Sequence, residues 1–159
     1  MFDRENETHS KSLRFSGDEV VLAVQLLEKV EPTMHVVYYL MDHEDAQSFV
    51  LLLVSANNIE LLKMLNEQKR DTDILFEIDS ELSLYAVLCQ DTKIDGGYRF
   101  AERILEILKE EDASDIYCTE LEIRSTQHET KKVVFKLIET YIRARQENKY
   151  GEIIFKTLQ

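Results

Sequence analysis

Residues 70–92 read RDTDILFEIDSELSLYAVLCQDT, and the fold turns on how this stretch is read. Asp73–Ile78 and Leu84–Cys89 are two short apolar runs rich in aromatic and aliphatic side chains. The five residues between them, Asp79-Ser80-Glu81-Leu82-Ser83, suit a hairpin connection, so the two runs are expected as antiparallel neighbours. Downstream, the spacing of Phe100, Ile104, Leu105, Ile107 and Leu108 predicts a helix over Asp95–Glu110, with Thr92 and Asp95 at its start. A strand over Ile116–Ile123, a helix over Glu129–Gln146 and a short strand over Glu152–Phe155 follow.

Upstream, Ser16 leads through Gly17-Asp18-Glu19 into Val20, Val21, Ala23, Val24, Leu27 and Val30, the pattern of a capped amphipathic helix ending before Pro32. Met34–Met41 (MHVVYYLM) follows a proline and is β-branched and aromatic, which predicts a buried strand ending near Asp42. Tyr38 and Tyr39 would then pack in the sheet. Residues 45–54 and 58–69 show helical spacing around a break at Asn57-Asn58. The expected order is therefore αβααββαβαβ: an α/β chain, an α+β sandwich, with a central mixed sheet of about five strands covered by helices.

The 159 residues suit one core, with residues 1–15 as a flexible arm and 16–159 as a single domain. A net charge of -12 would repel phosphate backbones and anionic lipid, so neither nucleic acid nor membrane is an expected partner. The charged N-terminus is neither a signal nor a transit peptide. Cys89 and Cys118 lie in apolar runs and read as buried free thiols of a reducing compartment, which places the chain in the cytoplasm. His9, His35, His43 and His128 are too dispersed for a zinc or nucleophile site.

Three segments carry a family resemblance. RDTDILFEI (70–78) is similar to the stretch in which an RxxD pair leads into the signature hairpin of GGDEF domains, the diguanylate cyclases and their relatives in the nucleotidyl cyclase fold. LYAVLCQDT (84–92), followed by YRFAERILEIL, resembles that family's next strand and its AERI helix. YIRARQENKYGEIIF resembles its last helix and strand. The matches occur in the family's order. Arg14-Phe15-Ser16-Gly17-Asp18-Glu19-Val20 looks more like the signature, but it stands too early to be preceded by the strand and two helices that build a cyclase site, and the helix cap accounts for it.

The resemblance also marks a departure. In an active cyclase two hairpin glycines admit the nucleotide and the next acid helps to hold magnesium. Here the glycines fall on Asp79 and Ser80, and the acid on Glu81. The family's first metal aspartate, at the end of the first strand, would be Asp42, with Glu44 beside it, and the phosphate-binding lysine falls on Arg145. The guanine-reading Asn-Asp pair has no counterpart in Ala46–Val54. Arg70 and Asp73 match the inhibitory RxxD site for cyclic di-GMP, with Arg99 or Arg103 as a second arginine, because a guanidinium offers paired donors to phosphate. The plain alternative is an ion pair at i, i+3.

The expected function is that of a catalytically inactive, GGDEF-like regulatory or protein-interaction module with no cofactor. Its expected partners are a protein, with a second copy of the chain among the candidates, and cyclic di-GMP at Arg70 and Asp73. The alternative is a residual magnesium-dependent nucleotide enzyme using Asp42 and Glu81.

Overall fold

The structure, a computed structural model, describes residues 15–43 and 47–158. Helix α1 spans Gly17–His43 and opens on a reciprocal cap. The Glu19 N–H donates to Ser16 Oγ (3.2 Å), and the Ser16 N–H donates to Glu19 Oε1 (2.8 Å). Leu22, Ala23, Leu26, Val30, Met34 and Val37 then recur every three to four residues and are buried along one face.

That stripe overturns the strand expected at Met34–Met41. Pro32 lies inside α1 on its exposed side, so the backbone bond it cannot make is lost toward solvent. The β preference of the Val and Tyr residues is worth fractions of a kcal/mol each, less than burying Met34 and Val37 against the sheet. Tyr38 is half-buried on the helix, and Tyr39 is exposed and stacked on His43.

The first strand is instead β1, Phe49–Asn57, which replaces the helix expected over 45–54. Every residue from Phe49 to Ala56 is buried. A continuous apolar run serves a strand in the middle of a sheet covered on both faces, where alternation has no solvent side to report. One helix rather than two follows it, α2 (Leu61–Gln68). The remaining elements fall close to their expected places: β2 (Ile74–Asp79), β3 (Leu84–Gln90), α3 (Ile94–Glu110), β4 (Ser114–Ile123), α4 (Thr130–Gln146) and β5 (Ile153–Leu158).

The five strands lie in the order β2-β3-β1-β4-β5. β2 and β3 are antiparallel neighbours as expected, β1 is antiparallel to β3 and β4, and β5 runs parallel to β4. Alternate residues feed two cores. Phe49, Leu51, Leu53, Leu88 and Leu121 pack with α1 and α4, while Val50, Leu52, Val54, Val87 and Cys118 pack with α2 and α3. Gly97 brings α3 onto the sheet, since a Cβ there would meet both Val50 methyls at 3.1 Å. Cys89 and Cys118 are buried free thiols, and burial pushes both thiols up. No described helix is long and apolar enough to cross a membrane.

Candidate functional site

Two ends of the sheet carry the residues singled out above. At one end β1 finishes at Ser55–Asn57 beside Leu84 of β3, so the β2–β3 turn lies next to it. The turn is closed by one side chain and one backbone bond: Asp79 Oδ1 accepts the Leu82 N–H (3.0 Å), and the Ser83 N–H donates to the Ser80 carbonyl (3.2 Å). Ser83 holds a left-handed backbone (φ 52°) that glycine would adopt more cheaply. Side chains thus occupy the turn where the resemblance expects bare backbone.

Asp42 is not at a strand end. It sits in the last turn of α1, exposed, where its Oδ1 accepts a hydrogen bond from Thr126 Oγ1 (2.9 Å). Glu81 lies beside Gln25 and Lys29 of the same helix. With a rise of 1.5 Å per residue, Lys29 and Asp42 are about 20 Å apart along the axis. The two proposed metal acids are therefore not brought together, and Glu44 lies outside the described residues. Among the described residues no group of three His, Cys, Asp or Glu side chains is placed to hold a metal ion.

The true end of the first strand carries no carboxylate. Ser55 is buried and shares a 2.6 Å hydrogen bond with the Tyr141 hydroxyl. Arg145 Nη1 donates to that hydroxyl at 3.4 Å, and the guanidinium lies 5.0 Å from the centre of the Tyr117 ring and 5.8 Å from that of Tyr141. Burial raises the Tyr141 phenol above its ordinary range, against the pull of Ser55 and Arg145. Arg145 does reach the strand end, as its match to the phosphate-binding lysine requires, but the space beside it is filled by tyrosine. Asn57 Nδ2 donates to Asp115 Oδ2 (3.0 Å), a further link from the same end to β4.

The opposite end holds Arg70 and Asp73, joined as a clasp. Arg70 Nε and Nη2 donate to Asp73 Oδ1 at 3.0 and 2.8 Å, and the Arg70 backbone N–H donates to Asp73 Oδ2 at 2.8 Å. Nη2 also donates to the Gln90 carbonyl (2.9 Å) and to Thr92 Oγ1 (2.8 Å), tying the start of β2 to the end of β3. The Asp73 side chain is 1% exposed and that of Arg70 53%. The hydrogen bond with Asp73 holds the guanidinium more firmly in its charged form. Asp73 is thus spent inside the protein, while half of Arg70 faces solvent.

Arg103 joins the same surface. Its Nε and Nη2 donate to Oε1 and the carbonyl of Gln68 (3.1 and 3.2 Å), two residues before Arg70. Arg99 lies one turn earlier on the same face of α3, in the cleft between α3 and the start of β5. The arginines expected to cluster are on neighbouring surfaces.

Two functional-looking groups were not legible as such. Glu120 and Glu122 of β4 are both essentially fully buried under the start of α3. Glu122 is satisfied: Oε2 accepts the Ile94 N–H (2.9 Å), and Oε1 accepts from Thr157 Oγ1 (3.0 Å) and faces Arg124 Nε (3.2 Å). Neither carboxyl oxygen of Glu120 has a hydrogen-bond partner, and burial pushes its pKa up to about 9. The alternation Thr119-Glu120-Leu121-Glu122-Ile123 looks like a strand with one wet face, and only the placement of α3 shows that face to be dry.

No family model matches the chain, and no curated protein matches it in sequence. Solved structures do match its fold. The FimX GGDEF domain from Pseudomonas aeruginosa aligns over 79% of this chain and 90% of its own, with a TM-score of 0.58 at 11% identity. A microbial GGDEF domain described in a novel interaction mode with cyclic di-GMP aligns over 82% and 96%, with a TM-score of 0.60 at 9% identity. The diguanylate cyclase SiaD of P. aeruginosa, in complex with its activator SiaC, aligns over 87% of this chain and 58% of its own, with a TM-score of 0.55 at 12% identity. The chain has the fold of a GGDEF domain. At these identities the likeness is one of fold.

Proposed function

We propose that this chain is a non-catalytic GGDEF-fold domain that regulates by binding a protein partner. The observation that carries this reading is the end of β1, where Ser55 hydrogen-bonds Tyr141 and Arg145 lies against two tyrosine rings in place of an acid, a metal and an open phosphate path. The neighbouring Asp79–Ser83 turn, in which the Asp79 carboxylate holds the Leu82 N–H, supports it. With no carboxylate among the described residues at the end of β1 to hold a metal, and with Arg145 lying against tyrosine rings, little transition-state stabilisation is available. The test is incubation with GTP and magnesium, with no cyclic di-GMP formed. Turnover that disappears in Glu81→Ala would overturn the reading.

Cyclic di-GMP is a second ligand on this reading, favoured by the placement of Arg103 beside Gln68, two residues from the half-exposed Arg70. One fold neighbour is described with this nucleotide, and another in complex with an activator protein. Because Asp73 is enclosed, the contacts would come from the two arginines. Arg103→Ala, which leaves the clasp intact, should weaken binding roughly tenfold to a hundredfold, the effect of losing one charge-assisted contact. Calorimetry showing no heat, or equal affinity in the variant, would remove the nucleotide from this reading.

A further inference from the structure

The molecule's charge is unevenly placed. Residues 130–159 hold seven Lys and Arg against three Asp and Glu, whereas residues 1–129 hold twelve against twenty-eight. The basic part is α4 and β5, and β5 is an edge strand with no neighbour on its outer side among the described residues. A cleft lies on each face of that edge. Toward α3, one of about 920 Å³ has Tyr98, Leu105 and Ile153 in its lining, and its three basic residues are balanced by Glu102, Glu106 and Glu152. Toward α4, one of about 370 Å³ has small buried Thr140 and Ala144 in its lining and four basic residues, Lys149 and Lys156 among them, against Glu139 and Glu147.

The two clefts differ in chemistry. On the α3 side Phe155 meets Tyr98 edge to face at 5.4 Å, and the two rings are 43% and 36% exposed. On the α4 side Glu139 answers Lys136 and Arg143, while Lys149 and Lys156 form no ion pair among the described residues. Successive β5 residues serve opposite faces, with Ile153 packing toward α3 and Ile154 and Leu158 toward α4. A strand added to this edge would divide its own side chains in the same way.

The other sheet edge is guarded. β2 carries Glu77 and Asp79, a register shift between them, and the Arg70 clasp at its start. Bulges and charges of this kind discourage strand addition, whereas β5 has Lys156 alone. Pairing of β5 with β2 of a second copy would be head to tail and would propagate without closing. Two-fold pairing of β5 with β5 would bring Lys149 and Lys156 of both copies, unpaired among the described residues, onto one edge, and both outcomes disfavour the chain itself as occupant.

We infer that the β5 edge is a docking site for an extended acidic segment of a partner protein, added as a sixth strand, with acidic residues alternating with aromatic or apolar ones. The acids face Lys149 and Lys156, and the apolar residues cover Tyr98 and Phe155. Backbone pairing supplies affinity and the alternation supplies selectivity. This inference rests on the protein-binding reading and names the partner's chemistry. It is independent of the absence of turnover, so a chain that formed cyclic di-GMP and still took this peptide would refute the non-catalytic reading alone.

The probe is a labelled eight-residue peptide alternating Glu with Phe and Val, compared with a scrambled isomer and with a Lys-for-Glu version, on the full chain. The alternating acidic peptide should bind, lose affinity as salt rises, and protect the amides of residues 153–158 from exchange. A Lys149→Glu and Lys156→Glu double variant, with melting checked against the parent, should weaken it at least tenfold. No binding at about 1 mM peptide, equal binding of the scrambled isomer, or indifference to the double variant would overturn the inference. So would uptake of phosphatidylglycerol vesicles or duplex DNA in place of the peptide, or self-association that blocks the edge.

Discussion

Replacing Glu120 by Gln should stabilise the protein near neutral pH, and the gain should depend on pH in a defined way. Glu120 is buried with neither oxygen bonded, and its pKa stands near 9 against an ordinary 4.5. Between those values the unfolded chain has released a proton that the native state must hold, so stability is greatest below 4.5 and falls as pH rises toward 9. At 1.36 kcal/mol per unit, the uptake costs about 3 kcal/mol at pH 7. Glutamine keeps the shape and the buried polarity but has no proton to lose. Urea melts of both proteins from pH 4.5 to 9 should therefore coincide at the acid end and separate steadily, reaching about 3 kcal/mol at pH 7, or roughly 10 °C in Tm. A difference that stays flat with pH would refute the reasoning, because it would mean that Glu120 is charged in the folded protein.

Arg70→Ala should destabilise by about 2 to 4 kcal/mol, since it strands the enclosed Asp73 carboxylate, and Arg70→Lys should rescue little because an ammonium cannot reproduce the paired Nε and Nη2 contacts; denaturant midpoints decide both. Tyr141→Phe should cost about 1 to 2 kcal/mol by leaving the Ser55 hydroxyl alone in the core, without creating GTP turnover; a variant that gained activity would show the tyrosine to be a plug over a working site.

The hairpin and everything after it were legible because their signals are local: a short polar connection between two strand-like runs, then amphipathic helices alternating with strands. The first third misled for a physical reason. Met34–Met41 has strand composition, yet its period joins Leu26 and Val30 in one helical stripe, and a proline on the solvent side does not end that stripe. FVLLLVSA lacks alternation because both its faces are covered, a fact that resides in the other elements. The site inherited this error. In sequence Asp42 reads as the acid at the end of the first strand, but with β1 at Phe49–Asn57 that position belongs to Ser55 and its neighbours. The Arg70–Asp73 pairing was legible because the two stand three residues apart in one short motif, whereas the burial of Glu120 depends on α3 lying across β4.

The position of β1 also sets the order in which the sheet can close. Its two partners begin to appear only at Leu84 and Ser114, and its register with β4 runs to Ile123. On a ribosome adding about 5 to 20 residues per second, the eight-residue segment from Phe49 to Ala56, apolar but for Ser55, emerges several seconds before the central sheet can be completed. A charge-free β-forming segment left open for that interval is a candidate for aggregation and for chaperone capture. The newly made chain, more than the folded one, is then where substitutions in β3 or β4 that delay pairing would first be felt, as loss of soluble yield at unchanged melting temperature.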